Sequence, residues 1–151
     1  RMQNTLYLSL TRFIGDSRVM RWNSKQFVEI QALPSRGAMT LQPFSFKDNH
    51  YLALGSDYTF SQIYQWDKEK QLFKKFKEIY VQAPRSFTAA PPTGEIFFAS
   101  SFKGKTKIFE HIIVDLSFEG VVGETKRNVA LALTKEDQEK STNKSKPGSE
   151  L

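Results

Sequence analysis

No cysteine occurs anywhere in the chain, which excludes disulfide staples, a thiol nucleophile and a cysteine-ligated zinc. It does not fix the compartment, because stacked β-strands can be stable without a bridge. Histidine is almost as scarce: His50 and His111 are the whole supply, and neither stands at metal-ligand or triad spacing. His111 and Asp115 would share one strand face, but one imidazole and one carboxylate make no site, so His111 reads as a packing or surface residue. No glycine-rich phosphate loop and no G-x-S-x-G elbow is present,. An enzyme therefore has little to stand on, and neither a metal nor a cofactor is expected. No apolar run approaches the roughly 20 residues of a membrane helix, so no membrane insertion is expected. The chain also opens at Arg1 without a methionine or a signal peptide, as expected of a piece of something longer.

What is abundant is apolar material, with 39% hydrophobic and 13% aromatic residues over 151 positions, enough for a real core and against disorder throughout. It is arranged as a repeat. The stretch 51–66 can be laid over residues 44 earlier and 45 later. Tyr51 then meets Tyr7 and Ile96, Leu52 meets Leu8 and Phe97, and Leu54 meets Leu10 and Ala99. Ser61 meets Ser17 and Thr106, Ile63 meets Val19 and Ile108, and Trp66 meets Trp22 and His111. A period of this length marks a propeller or a solenoid, whose units need the same apolar positions again and again.

The segments inside each unit are short and separated by turn residues, which predicts an all-β fold and not a βαβ one. Strands are expected at 6–10, 18–22 and 27–30, with 39–46 as the fourth strand of the first unit; Pro43 marks it as an edge or a bulge. The second unit places strands at 51–54, 62–66 and 72–81, the last of which also fits a helical period. A third opens at 83–87 and continues at 96–101 and 106–116, with 102–105 as a hairpin tip. Beyond residue 117 the composition turns to Lys, Glu, Ser, Thr and Asn. Residues 118–151 are thus expected to be a polar, disordered tail, with one weak helical turn at 129–135. Asn143 opens an N-x-S sequon there and is a candidate glycosylation site.

The net charge is +6, and six basic and six acidic residues fall beyond Ser117, so the excess belongs to residues 1–117. That favours an acidic partner, be it nucleic acid, an anionic membrane or a protein surface. Lys103, Lys105 and Lys107 would alternate on one strand face beside Phe97, Phe98 and Phe102, a pattern that suits a nucleic-acid stacking platform and equally a charged edge that blocks strand pairing. Phe13 and Phe102 are sharper. They are repeat equivalents just past strand ends, each beside a basic residue and two residues before a glycine. Propeller loops of this kind line the face where partners dock, or they fold back over a neighbouring blade. The middle repeat has Asp57 at that position, so the stretch 51–66 reads as scaffold.

Five motifs are specific enough to carry a family resemblance: LTRFIGDSRVMRW at 10–22, LPSRGAM at 33–39, LGSDYTFSQIYQWD at 54–67, VQAPRSF at 81–87 and FFASSFKGKTKIFEHIIVDLS at 97–117. In this order they closely resemble the C-terminal epitempin (EPTP, or EAR) repeats of the leucine-rich glioma-inactivated family, over nearly all of 6–117. The resemblance implies about two and a half four-stranded blades of a seven-bladed β-propeller, with no counterpart for 118–151. It also implies a secreted, extracellular, non-catalytic ligand that binds catalytically inactive ADAM-family transmembrane receptors at synapses or neuron–glia contacts. On that basis Met39 and Phe102 would be receptor-binding residues and Arg36 an assembly contact in a higher-order ligand–receptor complex; Phe13 is an additional loop contact on the repeat register alone, as the equivalent of Phe102. Two other readings remain open: a basic β-module binding nucleic acid, and a structural propeller fragment without activity of its own.

Overall fold

Strand follows strand with short connections, each pairing antiparallel with the one before it inside a sheet. The computed structural model describes residues 1–91, 93–115 and 128–134. Among them lie β1 (Tyr7–Leu10), β2 (Ser17–Trp22), β3 (Phe27–Leu33), β4 (Ala38–Phe46), β5 (Asn49–Ser56), β6 (Ser61–Asp67), β7 (Leu72–Ile79), β8 (Pro84–Ala89), β9 (Ile96–Ser101), β10 (Lys107–Asp115) and β11 (Asn128–Thr134). They form three meanders in the orders β1-β2-β3, β4-β5-β6-β7 and β8-β9-β10-β11. The all-β reading and the partial-blade architecture are thus present, and the ambiguous stretch from Leu72 is strand.

The repeat recurs down to single hydrogen bonds. Ser17 Oγ accepts from Arg12 N at 3.3 Å, and 44 positions later Ser61 Oγ accepts from Ser56 N at 3.2 Å. Asn23 Oδ1 takes the N–H groups of Lys25 and Gln26 (3.0 and 2.9 Å), and Asp67 Oδ1 takes those of Glu69 and Lys70 (3.0 and 3.1 Å). A short acceptor side chain closes each tip by satisfying donors the ladder leaves over.

Alternation of period two then builds the core. In β5, Leu52 and Leu54 face the first sheet, where they cluster with Val19, Leu33, Tyr64, Trp66 and Phe73. Tyr51 and Ala53 face the third sheet and meet Ile63, Phe87, Phe97, Ala99 and Phe109. The middle sheet is therefore covered on both faces, and β5 is buried from Tyr51 to Ser56. His111 packs into the second of these layers, with its ring 3.9 Å from Phe46 and 5.3 Å from Tyr51. Burial pushes its imidazole below the usual value of 6.5, and the nearby Lys47 ammonium adds to the effect,.

Two expectations need correction. Residues 39–46 do not complete the first unit. They belong to β4, which pairs with β5 through Phe46↔Asn49 and Leu41↔Leu54 and is the edge strand of the second sheet. The tight turn at Lys47, which has φ +51°, returns the chain directly onto β5, and the cross-sheet step falls at 34–37 instead. Pro43 accordingly sits on an edge strand, where its missing N–H costs no ladder bond. The second correction concerns 129–135, expected as a weak helical turn in a polar tail. Asn128–Thr134 is instead β11, registered on β10 with Ile112↔Leu131. Val129, Leu131 and Leu133 recur with a period of two, which strand pairing exploits in spite of the helix-favouring Ala and Leu content. Asn143 and the rest of 135–151 lie outside the described residues.

Two measurements follow. Leu54→Ala should cost about 2–5 kcal/mol in urea unfolding, as a fully buried leucine between two sheets,; a cost below about 1 kcal/mol would mean that the face is not packed. For His111 the folded-state pKa lies below the unfolded one, so its contribution is complete above about pH 6.5 and is lost as the pH falls below it,. The melting temperature should drop from about pH 7.5 to about 5.5, and His111→Phe should flatten that slope.

Candidate functional site

Because the strands run alternately up and down, the connections gather at two ends. Residues 11–16, 34–37, 57–60, 80–83 and 102–106 lie at one end, and residues 23–26, 47–48, 68–71 and 90–95 at the other. Backbone bonds between successive connections confirm the first grouping: Gly37 N–H donates to Phe13 O, Asp57 N–H to Gly37 O and Phe102 N–H to Ala83 O, each at 2.9 Å. The two ends differ in chemistry. Phe13, Tyr58, Phe60, Tyr80 and Phe102 all sit at the first, whereas the described connections of the second hold no aromatic residue.

The seam between the first and second sheets is built around Gly37. Its φ is +64°, and a Cβ there would stand 2.7 Å from Tyr58 Cδ2 and 3.2 Å from Asp57 Cβ. Only glycine meets both conditions without strain. The ring of Phe13 meets that of Tyr58 edge to face at 5.6 Å, and Arg36 O receives Tyr58 N–H at 3.4 Å. Met39 follows two residues later, where the β4 register slips between Ala38↔Ser56 and Thr40↔Gly55. The bulge gives Met39 no opposite residue and leaves its side chain substantially exposed,.

The second seam supports Phe102, which is 73% exposed. Arg85 lies over its ring at 5.3 Å, and Arg85 is itself held by Asp57, with Nη1 to Oδ1 at 2.8 Å and Nη2 to Oδ2 at 3.4 Å. A planar guanidinium fixed by a carboxylate of the preceding blade makes a firm backing for an aromatic ring. Below it, Ser101 Oγ donates to Gln82 O and receives Gly104 N–H at 2.7 Å, which sets the course of the loop.

Phe13, Arg36, Met39 and Phe102 thus share one end. Phe13, Arg36 and Phe102 stand in one chain of contacts through Tyr58, Asp57 and Arg85, and Met39 adjoins it through Gly37. Several residues were not expected, Arg85 and Phe60 among them. Asp57, read as scaffold, is the brace that positions Arg85 against Phe102, and Tyr58 joins Phe13 to the rest. Tyr80, with Lys107 Nζ 5.3 Å from its ring and Phe60 edge to face at 6.0 Å, extends the aromatic surface. The signal available was the D-Y-T-F run in a turn, where aromatic side chains have no ladder position to fill. The lysine stripe needs correction: Lys103 and Lys105 lie in the connection, only Lys107 belongs to β10, and Phe97 is buried. Among the described residues no group of three or more His, Asp or Glu could hold a metal ion, and no helix is long and apolar enough to cross a membrane.

Comparison with known proteins adds a family. The EPTP domain family matches residues 26–67. The human protein named leucine-rich repeat LGI family member 2 is 93% identical over 118 residues, covering 78% of this chain and 22% of that protein. The mouse protein of the same name is 92% identical over the same length. Human leucine-rich glioma-inactivated protein 1 is 54% identical over 117 residues, 77% of this chain and 21% of its own. The chain therefore spans about a fifth of these curated relatives. Neither name is that of an enzyme family. With the matched repeat, the ordered motifs and three stacked four- or three-stranded sheets in agreement, the chain belongs to the leucine-rich repeat LGI family and carries part of its EPTP region.

Proposed function

We propose that the aromatic end of the stack is a protein-docking surface of a secreted, extracellular, non-enzymatic ligand, and that its partner is the ectodomain of a catalytically inactive ADAM-family receptor. The carrying observation is Phe102, a large apolar side chain held out in water on a fixed guanidinium. Exposed aromatics beside arginines are the residues that supply binding energy in protein interfaces, and a ring that is already oriented loses little freedom on docking. Met39 offers a second, flexible apolar contact on its bulge. Phe13, backed by Tyr58, adds a third, and Arg36 stands at the same seam as the contact for higher-order assembly.

Charge supports the choice of an acidic partner surface. The basic excess of residues 1–117 includes Arg12, Arg36, Arg85, Lys103 and Lys105, all at or beside the connections of this end. Such a field raises the rate of encounter with a carboxylate-bearing partner. A nucleic-acid platform is the weaker reading, since the lysines expected to form one stripe are divided between a loop and a strand.

In the full-length polypeptide, Phe102→Ala should weaken receptor affinity by about 2 kcal/mol or more with folding intact, measured by surface plasmon resonance. An unchanged dissociation constant would remove Phe102 from the site. Asp57→Asn should act through Arg85 and cost less, roughly 0.5–1 kcal/mol. The loss should shrink when Phe102 is already alanine, because the two act through one contact.

A further inference from the structure

The second sheet has both faces covered by its neighbours, so what it leaves in water belongs to the blade itself. Its outer edge is β7, and that edge is lined with lysine. Lys74 and Lys75 are exposed and Lys77 is half-buried, while Lys68 and Lys70 stand exposed on the tip that leads into the strand. Arg21 of the first sheet reaches the same tip, with Nη1 3.4 Å from Gln71 Oε1. Asp67, Glu69 and Glu78 are interspersed, and two of these carboxylates are engaged. Asp67 Oδ1 caps the tip while its Oδ2 lies 3.9 Å from Lys74 Nζ, and Glu78 accepts from Gln62 Nε2 at 2.9 Å. Among the described residues, Lys68, Lys70, Lys75 and Lys77 stand in no ion pair. Ammonium groups this close repel one another, and an anion laid along them relieves the repulsion.

The blade does not require this charge. β3 is the same edge strand one repeat earlier: Trp22 stands opposite Phe27 as Trp66 stands opposite Phe73, and both strands carry an unopposed residue at the same step, Ile30 and Phe76. Where β7 has Lys74, Lys75 and Lys77, β3 has Val28, Glu29 and Gln31. Nor is lysine needed to keep other strands from pairing here. The bulge at Phe76 already bends the edge,, and Gln31 closes it at Phe73, accepting the N–H at 2.8 Å and donating to the carbonyl at 2.7 Å. A row of ammonium groups free of such a duty fits a linear polyanion. Lys74 to Lys77 spans about 10 Å of strand, and the tip lysines lengthen the row to about 20 Å. Nucleic acid fits less well, since its bases need exposed rings to stack on, and Phe73 and Phe76 are turned into the two cores. We propose that the Lys74–Lys75–Lys77 edge, extended by Lys68 and Lys70, binds a linear sulfated polysaccharide whose sulfates pair with the ammonium groups. The choice of a sulfated glycan among polyanions rests on the extracellular reading proposed above; the site itself lies on the outer edge of the sheet, apart from the loop end that carries Phe102.

The test uses the full-length polypeptide, an immobilised heparin octasaccharide as the probe, and surface plasmon resonance over a range of salt concentrations. The octasaccharide should bind, and the same saccharide stripped of its sulfates should not. Lys74→Gln combined with Lys75→Gln and Lys77→Gln should lose about tenfold or more in affinity. It should also lower the slope of log K against log salt by about two to three, close to one per contact removed. Lys75→Gln alone should lose about threefold and lower the slope by about one. Circular dichroism reads the fold of each variant, and the single substitution decides the matter where the triple one does not fold. Taking three charges from the loop end instead, with Arg12→Gln, Lys103→Gln and Lys105→Gln, should change the affinity by less than about threefold, because distant exposed charges are screened. The edge variants should leave receptor affinity unchanged, and Phe102→Ala should leave octasaccharide binding unchanged, so failure of this site and failure of the docking end are read separately. No binding of the octasaccharide at about 50 mM salt would overturn the proposal. So would an equal loss in the loop-end variant, or equal binding of a polythymidylate of the same charge.

Discussion

The middle sheet must be apolar on both faces, and most of the structure follows from that constraint. A strand that alternates polar and apolar residues can serve a sheet with one wet side. In β5, Tyr51 and Ala53 serve one neighbour while Leu52 and Leu54 serve the other, so four consecutive residues are committed to packing. No position is left over for a charge. That is why the stretch reads as a continuous apolar run.

The same constraint places the exposed aromatic residues of one end, Phe13, Tyr58, Phe60, Tyr80 and Phe102, outside the strands. Once both faces are spent on packing, variable chemistry falls to the connections and to strand beginnings such as Met39 and Arg85, and the up-and-down course of the chain sorts the connections into two ends. At one of them each seam is stitched by a backbone bond onto a residue with left-handed φ, Gly37 at the first and Ala83 at the second. The stitch holds successive sheets at a fixed offset. It also sets the height from which Arg85 reaches Asp57 and supports Phe102. The arrangement of the aromatic end is therefore a consequence of the blade-to-blade register and not of any one loop.

Much of this was legible in the chain itself. The 44- and 45-residue offsets identified which strands exist, because burial on two faces leaves a repeated apolar signature. Strand ownership was less accessible: residues 39–46 have the composition of a strand, but whether they close one sheet or open the next depends on the turn at Lys47 and on hydrogen bonds to β5. In β11 the alternation of Val129, Leu131 and Leu133 was outweighed by an Ala-Leu composition that favours helix when no partner strand is known. Phe13 and Phe102 announced themselves as apolar residues in turns. Asp57 did not, because a carboxylate in a turn is ordinary until the arginine 28 residues later is seen to reach it.

Phe102 also shows why a rigid support matters at such a place. A lone aromatic side chain in water gains nothing from exposure and would be more stable folded back onto the sheet. Arg85 offers its ring a cationic face on the outside, and Asp57 keeps that face from rotating away, so the outward position is held without burial. The contribution of a stack at an exposed site is small, about 0.5–1 kcal/mol, which is enough to bias an orientation and too little to stabilise a fold. Its effect is on orientation: a ring that is already posed would lose little freedom in the docking proposed for it.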